Sequence, residues 1–353
     1  MIVNQKFIAQ EAGVSQKTVS LYFKERGLIG QKSREKIESV VKRHNYFPNL
    51  AARTMRCRRF NRIACVAPQY GGREFFSQAH LLAYLNGAAL ELGNASYTLI
   101  YVPVFLYGDS TPVAYPEFFS SISADGVIGI PGVGMPPEID GKIAELGLPS
   151  VWLNRSKRAG DITTIEYDEQ SGIEEFVNYL HREEINICNW FGPDPSETTV
   201  HYSVRLRYEG FQRALNRIGC KLARSYFVKW GQPLTEAARD YVKMIAGSSP
   251  QMTLCYNHEY WSFLERIVRI SSDPDIRNMR LEQFASEHEY HYLRELGINQ
   301  IRIPEVEMGR RGAQTILGLL EGIDVSQLIM PLPTCFVEYQ SRNHISEGVK
   351  NAR

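Results

Sequence analysis

The chain has 353 residues, 44% hydrophobic and 22% charged, as expected for an ordinary globular protein of two or three domains with a sizeable core. Its net charge of +1 conceals an asymmetry: residues 1–62 hold 14 Lys+Arg against 4 Asp+Glu, a net +10, which leaves 26 against 35, a net −9, for the rest. No apolar run approaches the roughly 20 residues that span a bilayer, and Met1 to Gln10 is too polar for a secretion signal, so a cytoplasmic protein without membrane contact is expected.

The basic head points to a polyanion partner for that segment alone, the alternative being a solvated basic face. A first helix is predicted over about Gln5–Glu11, followed by Ala12-Gly13-Val14, where Gly suits a tight turn. Ser15 stands as an N-cap ahead of Thr18, Val19 and Phe23. The pattern reads helix, tight turn, helix, with a second helix whose start (Ser15, Gln16, Lys17, Thr18) is polar enough to enter a DNA groove. Gln16 and Lys17 can reach base edges, while Ser15 and Thr18 can hold phosphates. A third helix, about Gln31–His44, places Ile37, Val40 and Val41 at core spacing under a basic outer face.

Pro48 ends that helix at Tyr46-Phe47, and Asn49 can cap a short segment through Met55. The two stretches IAQEAGVSQKTVS and SREKIESVVKRHNYFPNLAARTMR resemble the lactose-repressor/galactose-repressor (LacI/GalR) family of bacterial regulators. The resemblance departs at Leu21, where the family commonly has Arg, and at Lys24, where it commonly has Asn. It implies a helix-turn-helix over 1–45, with Ser15, Gln16, Lys17, Thr18 and Ser20 at operator DNA. It also implies a hinge helix over 46–60, with Asn49, Ala52, Arg53, Met55 and Arg56 in the minor groove. There Met55 would stand where the family wedges Leu into the duplex, flanked by arginines that suit a narrow groove. The alternative is a solvated basic linker with Met55 packed on the body.

From residue 61 to about 345, apolar runs alternate with amphipathic stretches, the mark of parallel sheet flanked by helices. Strands are predicted at Arg62–Ala67, Tyr97–Val102, Gly126–Ile130, Ser150–Leu153, Ile185–Phe191, Met252–Tyr256 and Arg280–Phe284. Helices are predicted at about Glu74–Leu92, Glu169–Arg182, Ser203–Arg217, Thr235–Ala246 and Glu305–Glu321. The resemblance continues here. Asp125-Gly126, Tyr167-Asp168 with Gly172, Arg205-Leu206-Arg207 with Gly210-Phe211 and Ala214-Leu215, Asn257, and Met308-Gly309 with Ala313 match family blocks. It implies an α/β class: an all-α helix-turn-helix head on a periplasmic-binding-protein-like body of two Rossmann-like lobes. Lobe 1 would be about 61–158 and 286–323, and lobe 2 about 159–285 and 324–342.

By that resemblance a small-molecule effector sits between the lobes, and closure alters the spacing of two hinge helices in a homodimer on a pseudo-palindromic double-stranded operator. The candidate effector residues are Phe76, Arg155, Arg207, Trp230, Asn257 and His258. Read from the residues alone, Arg207 could instead be a salt-bridged surface arginine and Asn257 a strand-end turn residue. Two family positions differ: His258 replaces an Asp, and Gln283-Phe284-Ala285 replaces a Gly-Phe-Asp segment whose carboxylate commonly holds sugar hydroxyls. A cationic, aromatic-lined cleft is therefore expected, suited to a sugar derivative or another anionic or planar metabolite.

No catalytic residue, metal ligand or cofactor is predicted. The six cysteines (Cys57, Cys65, Cys188, Cys220, Cys255, Cys335) are scattered and read as reduced thiols. Gly129 to Gly134 lacks the spacing of a phosphate loop, and neither G-x-S-x-G nor H-E-x-x-H occurs. No heptad repeat follows Gln340, so a tetramerising coil is not expected. The chain thus reads as a DNA-binding repressor modulated by an effector. The alternatives are a body that senses a partner protein or no ligand, and, more remotely, a solute-binding protein or enzyme of the same fold.

Overall fold

The computed structural model describes residues 3–24, 28–46, 59–70, 76–106, 123–131, 135, 138–155, 163–197 and 200–339. The chain divides into two compact units, Met1–Asn61 and Arg62–Arg353.

In the first unit, α1 (Gln5–Ala12), α2 (Gln16–Lys24) and α3 (Gln31–Arg43) enclose a small core of Ile8, Ala9, Ala12, Val19, Tyr22, Ile29, Ile37 and Val40. Asn4 caps α1 by accepting from the Phe7 N–H at 3.0 Å. Gly13 ends it in the left-handed region at φ 63°, where an L side chain is strained, and its N–H returns to the carbonyls of α1. Ser15 then accepts from the Thr18 N–H at 3.0 Å and so starts α2 two residues after α1 ends its turn. Glu11 ties α1 to α3 through Arg43 at 2.7 Å and His44 at 2.6 Å. Helices α1 and α3 lie within a residue of their sequence-based spans, and α2 starts directly after the expected cap Ser15.

The second unit holds two sheets. The first, lobe 1, has strands β1 (Arg62–Tyr70), β2 (Thr98–Leu106), β3 (Gly126–Gly129), β4 (Ser150–Leu153) and β5 (Thr163–Ile165), all parallel, in the order β2-β1-β3-β4-β5. Helices α4 (Phe76–Asn94) and α5 (Glu138–Glu145) belong with it. The second, lobe 2, contains β7 (Ile187–Pro193), β8 (Lys221–Val228), β9 (Met252–Cys255), β10 (Arg280–Ser286), β11 (Gln300–Ile303) and β13 (Cys335–Val337). Its order is β13-β11-β10-β9-β7-β8, parallel except for β13. Around it lie α6 (Glu169–Arg182), α7 (Ser203–Ile218), α8 (Leu234–Ile245), α9 (His258–Arg269), α10 (Pro274–Asn278) and α11 (Tyr290–Glu295). Helix α12 (Glu305–Glu321) returns to lobe 1, where it packs on α4, β3 and β4. Between the lobes, β6 (Tyr167–Asp168) pairs in parallel with β12 (Leu332–Pro333).

These pairings differ from the sequence-based lobe limits. β5 extends the lobe 1 sheet to Ile165, and β11 keeps residues 300–303 in the lobe 2 sheet, so the chain re-enters lobe 1 at Pro304 rather than near 286. The run Gln300–Ile303 is four residues long with Arg302 inside it, too short and too polar to stand out as a buried strand. Edge strand β8 was likewise not expected; its exposed positions carry Lys221 and Arg224, and Ser225 is half-buried.

Lobe 1 closes on a helix pair with almost no side chain between backbones. A Cβ at Gly87 of α4 would lie 1.9 Å from the Val306 carbonyl oxygen, and one at Gly309 of α12 would lie 2.0 Å from the Tyr84 carbonyl oxygen. Glycine at both positions permits the contact that seats α12 on lobe 1.

Candidate nucleic-acid interface and interlobe cleft

On the head, Ser15, Gln16 and Lys17 are exposed at the start of α2, with Thr18 and Ser20 half-buried. Ser15 Oγ and Thr18 Oγ1 lie 2.8 Å apart and fix each other. Val19 and Tyr22 anchor the opposite side of the helix in the core. A short, polar, positively charged helix start is thereby held out on a rigid base, as groove readout requires. Asn49, Ala52, Arg53, Met55 and Arg56 lie outside the described residues.

In open α/β sheets, ligands bind beyond the carboxyl ends of strands where the strand order reverses. Those points are β1/β3 in lobe 1 and β7/β9 in lobe 2. Tyr256 and Asn257 directly follow β9, and Arg207 of α7 reaches the same place. Arg207 is buried, forks onto Glu169 with bonds of 2.9 and 2.8 Å, and donates at 3.3 Å to the Tyr256 carbonyl. Its guanidinium lies 4.4 Å over the Phe284 ring and 5.0 Å over that of Tyr256. Glu169 is itself buried at the start of α6, next to the capping residue Asp168. The charge of Arg207 is thus matched inside the protein: it is salt-bridged, but buried and not on the surface.

A polar chain continues from this pair. Ser203 Oγ lies 2.9 Å from Tyr256 Oη and 2.8 Å from His201 Nδ1. His201 Nε2 faces the Asn154 carbonyl at 3.2 Å, which assigns its proton to Nε2 and leaves Nδ1 as acceptor. Burial pushes the His201 imidazole down to about 4, with Arg207 and His80 opposing its charge, so it is neutral. Tyr202 donates to Asn154 Oδ1 at 2.9 Å, Asn154 donates to Tyr84 Oη at 3.0 Å, and Tyr167 donates to Tyr84 at 3.1 Å. The Asn154 contacts join lobe 1 to lobe 2.

The other expected effector residues are dispersed. Asn257 caps α9, accepting from the Tyr260 N–H at 3.2 Å, which is the strand-end role. His258 meets Gln283 Oε1 at 3.1 Å and stacks on Trp261 at 5.3 Å; burial lowers its pKa. Arg155 is buried in lobe 1, paired with Asp140 at 2.7 Å and lying 4.4 Å over Trp152. Trp230 is 50% exposed after edge strand β8, its backbone N–H bonded to Glu197. Phe76 opens α4, and its side chain lies outside the description. Sequence reasoning missed Glu169, Tyr84, Asn154, His201, Tyr202 and Tyr256. The adjacency of Glu169 to the Tyr167-Asp168 block was the one signal present.

Residues 6–49 match the family described as bacterial regulatory proteins, lacI family. Over 98% of its length the chain is 24% identical to the whole of the HTH-type transcriptional regulator MalR of Staphylococcus xylosus. Over 71% of its length it is 26% identical to 72% of the regulator DegA of Bacillus subtilis. In fold it is similar to the lac repressor dimer bound to operator and the anti-inducer ONPF (TM-score 0.66, 16% identity, 96% of this chain and 98% of that one). It is also similar to the regulator CelR in complex with cellobiose (TM-score 0.60, 16% identity, 96% of this chain and 100% of that one). The helix-turn-helix head, whose residues 6–49 match the lacI family, the two-lobe α/β body and these relatives together make the chain a DNA-binding transcriptional regulator similar to those of that family.

Proposed function

We propose that the protein is a dimeric repressor whose operator binding is modulated by a small molecule between the lobes of its body. The observation that carries this reading is the buried Arg207–Glu169 pair at the carboxyl end of β9, continuous with a polar chain that crosses from lobe 2 to lobe 1 through Asn154. A ligand seated there touches both lobes and biases their equilibrium. The relatives of similar fold include one bound to operator with an anti-inducer and one bound to cellobiose.

In this reading residues 1–45 read the operator, with Ser15, Gln16, Lys17, Thr18 and Ser20 at the major groove. Residues 46–60 form the hinge, with Asn49, Ala52, Arg53, Met55 and Arg56 at the minor groove. The body signals from the cytoplasm side of regulation without chemistry of its own. Because Glu169 and the neutral His201 remove the cationic character expected from sequence, a sugar or uncharged sugar derivative suits the cleft better than a free anion. Exposed Leu82 (60%) and Leu90 (70%) on α4, with Tyr101 (36%) and Phe105 (37%) on edge strand β2, give lobe 1 apolar surface for a second copy.

A thermal-shift screen of the full chain against sugars, sugar phosphates, sugar acids and nucleosides tests the effector. A ligand at about 100 times its Kd stabilises by roughly 2.7 kcal/mol, and the shift is expected to vanish in Arg207→Ala. Silence across the library transfers the weight to a body that senses a partner protein, a reading favoured by the buried apolar Ala285 where the family resemblance implies a carboxylate.

A further inference from the structure

A second junction between the lobes is built on a titratable side chain. His80 projects from α4 of lobe 1 and is about one-third exposed, with a side-chain relative accessibility of 33%. Its Nδ1 contacts both Ser286 Oγ, at the end of β10 in lobe 2, and the carboxylate of Glu305, the first residue of α12. Ser286 Oγ also donates to Glu305 Oε1 at 2.7 Å, and the Glu287 N–H donates to Oε2 at 3.2 Å. In return the Val306 N–H, at the start of α12, donates to the Glu287 carboxylate. Glu305 is 1% exposed, so its charge depends on these partners.

We propose that His80 is a protonation-dependent clasp: charged, it reinforces the tie between the Ser286–Glu287 turn of lobe 2 and lobe 1, and neutral, it weakens that tie and favours opening. As a regulatory device this rests on the reading that lobe movement carries the signal to DNA; the clasp itself is a property of the body alone.

The groups facing His80 come from several elements. Glu305 lies on α12, Glu289 and His288 on the turn after β10, Arg207 on α7, and His201 just before it. Burial alone would lower the imidazole, but the charge and hydrogen bond of Glu305, aided by Glu289, outweigh burial and Arg207 and raise it above the ordinary histidine value. A raised value means that the clasp is fully formed below the ordinary value, near 6.5, and fades as pH rises through the higher one. Glu289, pushed up to about 7 by burial, ionises across the same range. A comparison with His80→Gln separates the two.

Hydrogen–deuterium exchange on the full chain, without DNA or effector, reads the clasp directly. Peptides spanning residues 284–308 contain the Glu287 and Val306 amides that close the junction. After correction for intrinsic rates, wild type is expected to lose protection there as the pH is raised above the ordinary histidine value. His80→Gln is expected to start from the unprotected level and show no step. Should that variant fold poorly, Ser286→Ala keeps the histidine on lobe 1 and cuts it from lobe 2, with the same loss expected. A wild-type profile flat in pH, or a step that survives in the folded variants, overturns the proposal. Neither result bears on effector or DNA binding, which this readout does not contain.

Discussion

Arg207 shows what one residue in a sequence can and cannot tell. Its place at the cleft was only implied by the family resemblance, but its place in the R-x-x-G-F-x-x-A-L pattern was legible. Its partner was not. Glu169 is thirty-eight residues away, and only the fold brings the two carboxylate oxygens to 2.8 and 2.9 Å. Removing one member strands the other's charge in the interior, so Glu169→Gln is expected to cost about 3–5 kcal/mol in urea unfolding. Replacing both Arg207 and Glu169 by apolar residues of similar size should cost less than either single change. His201 adds a pH dependence of opposite sign to that of His80. Because burial holds it near 4, its contribution is present above the ordinary value near 6.5 and is lost as pH falls from there toward 4. His201→Gln is expected to flatten the acid limb of a plot of thermal midpoint against pH.

Elements were more legible than residues. Helices α6 and α12 were placed at their observed ends, because Asp168 caps the first and an unbroken amphipathic run defines the second. Helices α5, α9, α10 and α11 were missed from sequence, as were strands whose pattern is set by position in a sheet. β8 is an edge strand with polar residues on its open side, and β5 and β11 are three and four residues long. The Gly87–Gly309 contact was also invisible, since a glycine inside a helical run gives no sign of what crosses it. Either glycine changed to alanine forces α4 and α12 apart. Gly309→Ala is expected to lower stability by at least about 1–3 kcal/mol, and urea unfolding with an unchanged m-value checks it. In the head, Gly13→Ala meets no neighbour but places a side chain at φ 63°, so a cost of about 1 kcal/mol or more is expected from strain alone.

At the scale of the whole molecule, charge and fold divide the work. The first 62 residues carry +10 and the remainder −9, so the polyanion partner belongs to the head while the body is left to sense. Among the described residues, the body's lobes meet at two polar junctions, Asn154 with Tyr202 and His201, and His80 with Ser286 and Glu305. Any ligand that prefers one lobe spacing acts against both. The overall class was legible because a basic helix-turn-helix and a βα alternation are both local patterns. The lobe limits were not, because they depend on strand pairing between distant segments.

The central claim is sequence-specific DNA recognition by the head, and selection from a random duplex library tests it most directly. The full chain, Gln16→Ala with Lys17→Ala, and residues 60–353 would each be taken through rounds of binding at about 0.15 M salt, where non-specific electrostatic binding is weak. The account predicts that the full chain enriches a two-fold symmetric site, that the doubly substituted head binds it at least about tenfold more weakly, and that residues 60–353 enrich nothing. A full chain that enriches no sequence, or a truncated one that enriches the same site, would contradict it.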